Sequence, residues 1–384
     1  MSEIVIVTGA RAPVAQDLAR ALRAAGCQVL LADSVPAFAA RAMRPAYEVH
    51  RLPAPRQAFA QFRVALSDLV ERSGATRIVP SCEEVFWVSE AARLEGFEAA
   101  VFAPSIDRLR QLHSKAEFAA MVADLGLVAP DTQVIDSAIV PTELAAPLED
   151  LVFKPEFSRF ASETRISPTA RDLANVRPTP QRRWVAQRRI RGEEICAWAS
   201  LHGGRVTAFA AYCPRWRLGH AAAFQVEAVD APGLRALADR IGAATAMSGH
   251  LSFDAIVDGD GRTYPIECNP RAVSGLHLFD ASAALGQAIL GAPGCLQPPM
   301  GRLRHLGPAM ALLGLPVALG EARLGDLVTD WRASRDVIDR DGQPLVTLGC
   351  LADAARFAAA GVLGGRSAAA ASTADIEWDG EAMA

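Results

Sequence analysis

Two carboxylates and one amide lie on a pair of apolar runs that has the pattern of a β-hairpin. The runs are residues 251–257 and 262–267, and they carry Asp254 and Glu267, with Asn269 directly after the second run. Since side chains along a strand alternate between faces, Glu267 and Asn269 point to the same side. Mg²⁺ suits such oxygen donors, because it binds one or two carboxylates and fills its other positions with water and phosphate oxygens. The alternative is an ordinary solvated face of an antiparallel hairpin.

The turn of this hairpin sets which residues face each other. If Asp258 pairs with Gly261 across a two-residue turn, Asp254 lies opposite Pro265 and is a diagonal neighbour of Glu267, about 7–8 Å away between backbone positions. The same turn overlaps the calcium loop of an EF-hand at four positions. We exclude a calcium loop, because its first carboxylate position is an isoleucine and its flanks are strands rather than helices.

Lysine is almost absent from the chain. Of the 39 basic residues, 37 are arginines and two are lysines, Lys115 and Lys154. A coding bias toward arginine explains the shortage, but a lysine that survives it is a candidate for a position that needs a compact ammonium group. Lys115 lies in a helical stretch at 105–125, and Lys154 ends a short buried strand at 151–155. The alternative is that both are lysines without a function.

The first third of the chain has the pattern of a doubly wound α/β unit. A buried strand at 4–7, a helix at 15–25 and a second strand that ends at Asp33 form a βαβ unit, and a further helix and strand follow at 58–72 and 77–80. The dinucleotide fingerprint G-x-G-x-x-G is incomplete, because Gly9 is followed by Ala-Arg-Ala-Pro-Val. We favour a scaffold domain without a cofactor, and an NAD(P)-dependent oxidoreductase remains the alternative.

The middle of the chain predicts antiparallel strands around a helix. A hairpin is expected at 195–201 and 206–212, and a helix at 232–247 leads into the carboxylate hairpin. The tail from about residue 300 mixes short strands with an alanine-rich helix and carries no chemistry that we can identify.

Four motifs follow one another in a known order. Lys115 precedes a Gly-Leu-Val-Ala-Pro helix stop, and Val-Phe-Lys-Pro (152–155), Trp-Val-Ala-Gln (184–187) and Ile-Glu-Cys-Asn-Pro-Arg (266–271) come after it. In this order the chain resembles the ATP-grasp superfamily over residues 1–300, in particular its carboxylate-amine ligases related to biotin carboxylase and carbamoyl-phosphate synthase.

The resemblance implies a mixed α/β and α+β architecture. A Rossmann-like pre-ATP-grasp domain is expected at 1–105 and a two-lobed ATP-grasp domain at 106–300, with its lid lobe at about 125–190. A small C-terminal α+β domain is expected at 301–384.

The resemblance also implies roles for individual residues. Asp254, Glu267 and Asn269 are expected to hold Mg²⁺, with Mn²⁺ as an alternative, and the catalytic residues are expected to be Arg271 and Lys154. Two lysines contact the ATP phosphates, the segment from Gln187 to Ile190 bonds adenine, and Glu194 contacts the ribose or the adenine side. The full expected ATP-binding set is Lys115, Lys154, Ser158, Arg159, Ser162, Gln187, Arg188, Arg189, Ile190 and Glu194.

The loop at 156–164 departs from the pattern of many relatives. Their loop over the phosphates is rich in glycine, whereas this one contains none. Its hydroxyls, backbone N–H groups and Arg159 are the groups that would cover phosphate.

The implied reaction transfers the ATP γ-phosphoryl group to a carboxylate, and an amine or another nucleophile then attacks the acyl phosphate. Neither step requires a nucleophilic side chain of the protein. The small-molecule carboxylate and amine are expected to contact Arg215, Arg217, Arg271, Ser274 and His277. A nucleotide-binding relative without ligase activity is a further alternative.

Composition limits the other function classes. The net charge of −4 offers no broad basic surface for nucleic acid or anionic membrane lipid. Seven cysteines without a close pair fit reduced thiols in a cytoplasm, and neither a secretory signal nor a membrane span is predicted. The oligomeric state stays open, with a homodimer among the alternatives.

Overall fold

A parallel four-stranded sheet is formed by the first third of the chain. The computed structural model describes residues 2–139, 143–159, 163–217, 223–340 and 342–383. The strand order is β3-β2-β1-β4, and the central strand β1 is buried on both faces, as its continuous apolar sequence predicts. The expected doubly wound unit is therefore confirmed. Its elements are β1 (Ile4–Thr8), α1 (Pro13–Ala24), β2 (Gln28–Asp33), α2 (Phe38–Ala42), β3 (Glu48–Arg51), α3 (Phe59–Ser73), β4 (Arg77–Val79) and α4 (Val85–Glu95).

Two helices occupy the stretch that was expected to be one. They are α5 (Ile106–His113) and α6 (Lys115–Asp124). The break lies at Ser114, whose backbone is extended and whose hydroxyl accepts the N–H of Glu117 as the N-cap of α6. Lys115 is consequently the first residue of a helix rather than a residue in the middle of one.

A second, antiparallel four-stranded sheet follows. Its order is β5-β8-β6-β7, and all of its strands lie between residues 132 and 188. The elements are β5 (Thr132–Ile135), β6 (Leu151–Pro155), β7 (Arg165–Ile166), α7 (Ala170–Leu173) and β8 (Trp184–Arg188).

Within the described residues, the third sheet has seven strands in the order β13-β12-β9-β10-β11-β14-β15. Both predicted hairpins are present, as β9 with β10 and as β12 with β13, and the predicted helix α8 lies between them in sequence. The elements are β9 (Glu193–His202), β10 (Arg205–Arg217), β11 (Ala223–Val229), α8 (Pro232–Thr245), β12 (Gly249–Val257), β13 (Thr263–Asn269), α9 (Ala283–Ile289), β14 (Leu303–His305) and β15 (Arg335–Asp336).

The chain after residue 300 packs against sheets and helices that earlier residues form. Strands β14 and β15 extend the third sheet, while helix α13 packs on α2, where buried Asp353 accepts the backbone N–H groups of Phe38 and Ala39. The predicted boundaries near 105 and 300 remain predictions. The helices of this part are α10 (Gly307–Ala309), α11 (Leu315–Gly320), α12 (Leu324–Ala333), α13 (Pro344–Leu363) and α14 (Ala368–Thr373), and a π-helical turn, Met310–Gly314, joins the first two.

Helix α13 is long and apolar enough to cross a membrane by length and composition alone. About a fifth of it is buried, and its Gly349 lies so close to α2 that a Cβ atom there would meet the backbone of Ala39 at 2.7 Å. In this structure the helix therefore packs closely against the first sheet's helix layer.

The last residues form an acidic tail that crosses the first sheet region. We define this tail as residues 374–383. The Trp378 ring is buried, stacks on Phe86 at 4.8 Å between ring centroids and meets the edge of Phe157 at 5.2 Å. Trp87 donates its indole N–H to the carbonyl of Ile376. The end of the chain thereby completes an apolar cluster that the first hundred residues begin.

Candidate active site

The carboxylate hairpin brings Asp254 and Glu267 directly opposite each other. The expected diagonal arrangement is wrong, because Asp254 pairs with Glu267 and a bulge follows between Asp254 and Ala255. The expected hydrogen bond between Asp258 and Gly261 is present, but Asp258 also pairs with Arg262, because its backbone N–H donates to the Arg262 carbonyl and its carboxylate accepts the Arg262 N–H at 2.9 Å. This places the two carboxylates as cross-strand neighbours.

Asn269 and Cys268 take the faces that alternation predicts. The Asn269 amide donates to Asp254 at 3.4 Å, whereas Cys268 is fully buried in the core beneath the sheet. Among the described residues, no cluster of three or more His, Cys, Asp and Glu side chains is placed to hold a metal. The donor set of two carboxylates and one amide fits Mg²⁺ whose remaining positions are taken by water and phosphate, and it does not fit a cage made entirely of protein ligands.

Both lysines reach this hairpin from different elements. Lys115, from the start of α6, lies with its Nζ 3.5 Å from a carboxylate oxygen of Glu267. Lys154, from β6 of the second sheet, donates to the carbonyl of Ile266 at 3.0 Å. The two lysines are buried, at 1% and 5% exposure, which is rare for this residue type. The only lysines of the chain thus converge on its carboxylate pair.

Burial and charge set the protonation of this group. Burial, reinforced by the negative charge of the neighbouring Glu267, raises the pKa of Asp254 to about 6. Burial acts on Glu267 as well, but Lys115 and Lys154 outweigh it and hold the pKa of Glu267 below its ordinary value. Burial also lowers the pKa of Lys154 to about 8, against the opposing attraction of Glu267. The site therefore holds charges that lack full solvation.

Arg271 leaves the hairpin and binds a carboxylate of the first sheet. Its Nε donates to Glu83 at 2.6 Å, and its Nη2 donates to the amide oxygen of Asn269 at 3.3 Å. Glu83 is buried, and although burial opposes ionisation, Arg159 and Arg271 lower its pKa to about 2. Sequence reasoning missed Glu83 as a site residue. Its position just after a parallel strand, at the carboxyl edge of the sheet, was the available signal.

The loop after Lys154 is held by Lys115 on one side and by the acidic tail on the other. The carbonyl of Ser158 accepts a hydrogen bond from Lys115 at 3.2 Å, which ties the loop to α6. Arg159 donates to Glu377 at 3.0 Å and to Asp379 at 3.4 Å, so its guanidinium is directed at the tail. Ser162 lies outside the described residues.

The expected adenine segment follows β8, between the second and third sheets. Gln187 is buried and donates to the hydroxyl of Thr132, while the backbone N–H groups of Arg188 and Arg189 donate to carbonyls at positions 131 and 150. Ile190 comes directly after this paired stretch. The backbone N–H groups of Arg188 and Arg189 are therefore already hydrogen-bonded to other residues of the protein.

The expected substrate residues divide into two groups. Arg217 donates to Glu194 at 2.6 Å across β9 and β10, which places an expected substrate residue against an expected nucleotide residue. Arg215 lies 3.5 Å from Glu227, on the side of β10 that faces β11. These pairs hold both arginines on the third sheet.

Ser274 and His277 begin and continue a short helical turn, Ser274–Leu278, after the hairpin. His277 is buried, and its Nδ1 lies 2.7 Å from a carboxylate oxygen of Asp17 on α1. The turn that carries these two expected substrate residues is therefore anchored on α1.

No family model matches the chain, and no curated protein matches its sequence. Solved structures do match. The N5-carboxyaminoimidazole synthetase of Staphylococcus aureus complexed with ADP is 12% identical, with a TM-score of 0.64 over 84% of this chain and 87% of that chain. The biotin carboxylase domain dimer of the Hydrogenobacter thermophilus 2-oxoglutarate carboxylase, with MgADP and bicarbonate, is 15% identical, with a TM-score of 0.57 over 79% and 73%.

The L-amino acid ligase of Bacillus licheniformis is 14% identical and superposes with a TM-score of 0.54 over 75% of this chain and 74% of that chain. These three proteins share one architecture. The chain has the ATP-grasp fold. The prediction of this fold from the order of the motifs is confirmed, and the low identities carry the likeness no further than the fold. Within the ATP-grasp fold, Lys115, Lys154 and the carboxylate pair lie where the helix α6, the second sheet and the third sheet meet.

Proposed function

We propose that the protein is an ATP-dependent ligase that phosphorylates a small-molecule carboxylate and joins it to an amine, releasing ADP and phosphate. The observation that carries this proposal is the convergence of the only two lysines on the Asp254–Glu267 pair. A buried ammonium pair beside partly buried carboxylates suits a bound anion and a divalent cation together.

Each residue has a chemical task in this reaction. Lys115 and Lys154 neutralise the nucleotide phosphates, and Arg271 neutralises charge on the carboxylate that accepts the phosphoryl group. Asp254, Glu267 and Asn269 hold Mg²⁺, which when bound neutralises the charge of the transferring phosphoryl group. Glu83 orients Arg271 through the 2.6 Å hydrogen bond that joins them. Buried side chains preserve this geometry because they lose little freedom when the substrate binds.

The structures that share the fold support ATP as the cofactor. The Staphylococcus aureus synthetase is complexed with ADP and the Hydrogenobacter thermophilus domain with MgADP, and the latter is a dimer. We propose Mg-ATP as the cofactor, Gln187 to Ile190 with Glu194 as its adenosine contacts, and Arg215, Arg217, Ser274 and His277 as contacts of the carboxylate and the amine. A cytoplasmic location and a homodimer belong to the same proposal.

Calorimetry with ATP, with and without Mg²⁺, tests the nucleotide step. Magnesium-dependent binding, followed by ADP release with a panel of carboxylates and amines, is the expected result. Binding of NADH or NADPH with no binding of ATP would favour the oxidoreductase alternative instead. Binding of ATP without turnover by any substrate pair would favour a nucleotide-binding relative that is not a ligase.

Lys154→Arg tests the role of the ammonium group. Although this chain uses arginine almost everywhere else, a planar guanidinium does not fit the buried position beside Ile266, so we expect ATP affinity and turnover to fall at least tenfold. Arg93→Lys on the exposed side of α4 is the matched control and should change neither. Unchanged ATP affinity and rate in Lys154→Arg would contradict the role of the lysines.

A further inference from the structure

A second group of basic side chains surrounds a cavity of about 590 Å³ that contains none of the residues assigned above. Its walls come from α1, from residues 44–47 and 280–282, and from β14, β15 and the turn after β15. We call it the arginine cavity. Three aspartates also line it, and its six arginines are Arg20, Arg23, Arg44, Arg304, Arg335 and Arg340.

Several of these guanidinium groups are buried without full hydrogen bonding. Arg304 is only 6% exposed, and its Nε has no hydrogen-bond partner among the described residues. The same is true of Nη2 of Arg20 and Nε of Arg340. A buried donor without a partner costs free energy, and an ionised one costs more than a neutral one. These three nitrogens are themselves shielded from the cavity, so an anion there would meet the other atoms of the arginine side chains that line it.

The aspartates of the cavity do not balance its arginines. Asp280 divides its two oxygens between Arg304 at 2.9 Å and Arg302 at 3.2 Å. Asp336 accepts hydrogen bonds from the backbone N–H groups of residues 307 and 338, so the main chain rather than an arginine occupies one of its oxygens. Burial lowers the pKa of Arg304, and the nearby Arg340 and Arg302 lower it further against the attraction of Asp280.

Two further arginines of the cavity bind neutral groups. Arg23 donates to the carbonyls of Pro45 and Ala46 and lies 3.7 Å from the centre of the Tyr47 ring, and Arg44 donates to carbonyls of residues 41–43. Their charges are not neutralised by these contacts. A volume of 590 Å³ is in the range that accommodates a metabolite.

We propose that the arginine cavity binds a small multivalent anion, a metabolite that carries phosphate or several carboxylates. The site is separate from the lysine–carboxylate cluster and does not depend on the proposed ligase function. Guanidinium groups suit such a ligand because their planar donors match phosphate and carboxylate oxygens in pairs.

Asp17 also joins the cavity to the turn Ser274–Leu278, which carries His277. This carboxylate accepts hydrogen bonds from Arg340 at 2.9 Å and Arg20 at 3.2 Å and lies 2.7 Å from His277. An anion that binds Arg340 and Arg20 competes with Asp17 for these two arginines. When it is bound, the remaining partner of the Asp17 carboxylate is His277. An anion bound in the cavity is therefore expected to change the hydrogen bonding of His277, which we propose as a contact of the substrates.

Titration calorimetry of the full-length protein with inorganic pyrophosphate, and separately with citrate, at constant ionic strength tests the proposal. Each titration is run without nucleotide and again with a saturating non-hydrolysable ATP analogue and Mg²⁺. We expect saturable binding in both conditions, with at least tenfold loss of affinity in Arg304→Gln and in Arg335→Gln. The titrant that binds more tightly identifies phosphate or carboxylate as the preferred group.

Arg335 is exposed, so its variant keeps the fold even if the buried Arg304→Gln variant does not. Arg77→Gln, which removes an arginine paired with Glu3 on the first sheet, is the matched control and should bind as the parent does. Equal affinity in all variants would overturn the proposal. So would an absence of anion binding in the parent, or a change of sedimentation in Arg335→Gln without anion binding, which would assign the cavity to a second copy of the chain.

Discussion

Replacement of the buried His250 should flatten the dependence of stability on pH. His250 is 2% exposed at the start of β12 and lies between the rings of Phe102 and Trp198, at 5.2 and 5.7 Å. Neither ring nitrogen has a hydrogen-bond partner among the described residues. Burial accordingly lowers the pKa of His250 to about 3 from its ordinary value of 6.5.

The sign of the effect follows from proton binding. Below pH 6.5 the unfolded chain takes up a proton at His250, whereas the folded chain does not until about pH 3, so stability is lost as the pH falls. Between pH 7 and pH 5 the loss from this one residue is about 2 kcal/mol, from the proton uptake of the unfolded state. The variant His250→Phe, which keeps an aromatic ring but cannot be protonated, should lack this part of the slope.

Urea unfolding at pH 7, 6 and 5 measures the difference between the parent and His250→Phe. Subtraction isolates His250 from other titrating groups, because those groups are shared by both proteins. Phe102→Leu is the control for packing, since it disturbs the same ring contact and keeps the histidine; it should lower stability by a similar amount at every pH. Parallel stability curves for the parent and His250→Phe would refute the reasoning.

Three further predictions concern the site and the packing. Glu267→Gln should abolish Mg²⁺-dependent ADP release with little change in thermal unfolding, and full activity would contradict the metal assignment. Trp378→Ala should lower the free energy of urea unfolding by about 3–5 kcal/mol, whereas Trp331→Ala, at a ring that is 39% exposed, should cost much less; equal costs would refute the importance of the tail. Gly286→Ala should destabilise by about 1–3 kcal/mol, because its Cβ would lie 2.2 Å from the carbonyl of Ala21, while Gly325→Ala, with open space around it, should not; calorimetric melting compares the two.

The sequence predicted the elements better than it predicted their register. Strands, helices and both hairpins were found from hydrophobic period and turn residues, which are local signals. The pairing of Asp254 with Glu267 depended on a bulge and on a side-chain hydrogen bond of Asp258, and neither leaves a mark in the hydrophobic pattern.

Contacts between distant segments were also beyond the sequence pattern. Glu83 and Arg271 are 188 positions apart, and the sequence around a single acidic residue after a strand does not indicate which residue binds it. The two lysines were found because their rarity is a property of composition, which requires no knowledge of the fold. Residue counts thus indicated the centre of the candidate site, and tertiary structure was needed for the residues around it.

The acidic tail has a consequence for how the protein is made. Trp378 fills the space between Phe86 and Phe157, and Asp375 binds Arg11 directly after the first strand, so residues 374–383 complete a core that the first sheet begins. During synthesis the chain emerges from its amino end, and a domain folds as a unit only when all of it is available. The first sheet region therefore stays incompletely packed until residues 374–383 have been translated. A chain truncated before residue 374 lacks this closure, so the packing of the first sheet region depends on a segment 289 positions further along the chain, as the hydrogen bond between Trp87 and Ile376 shows.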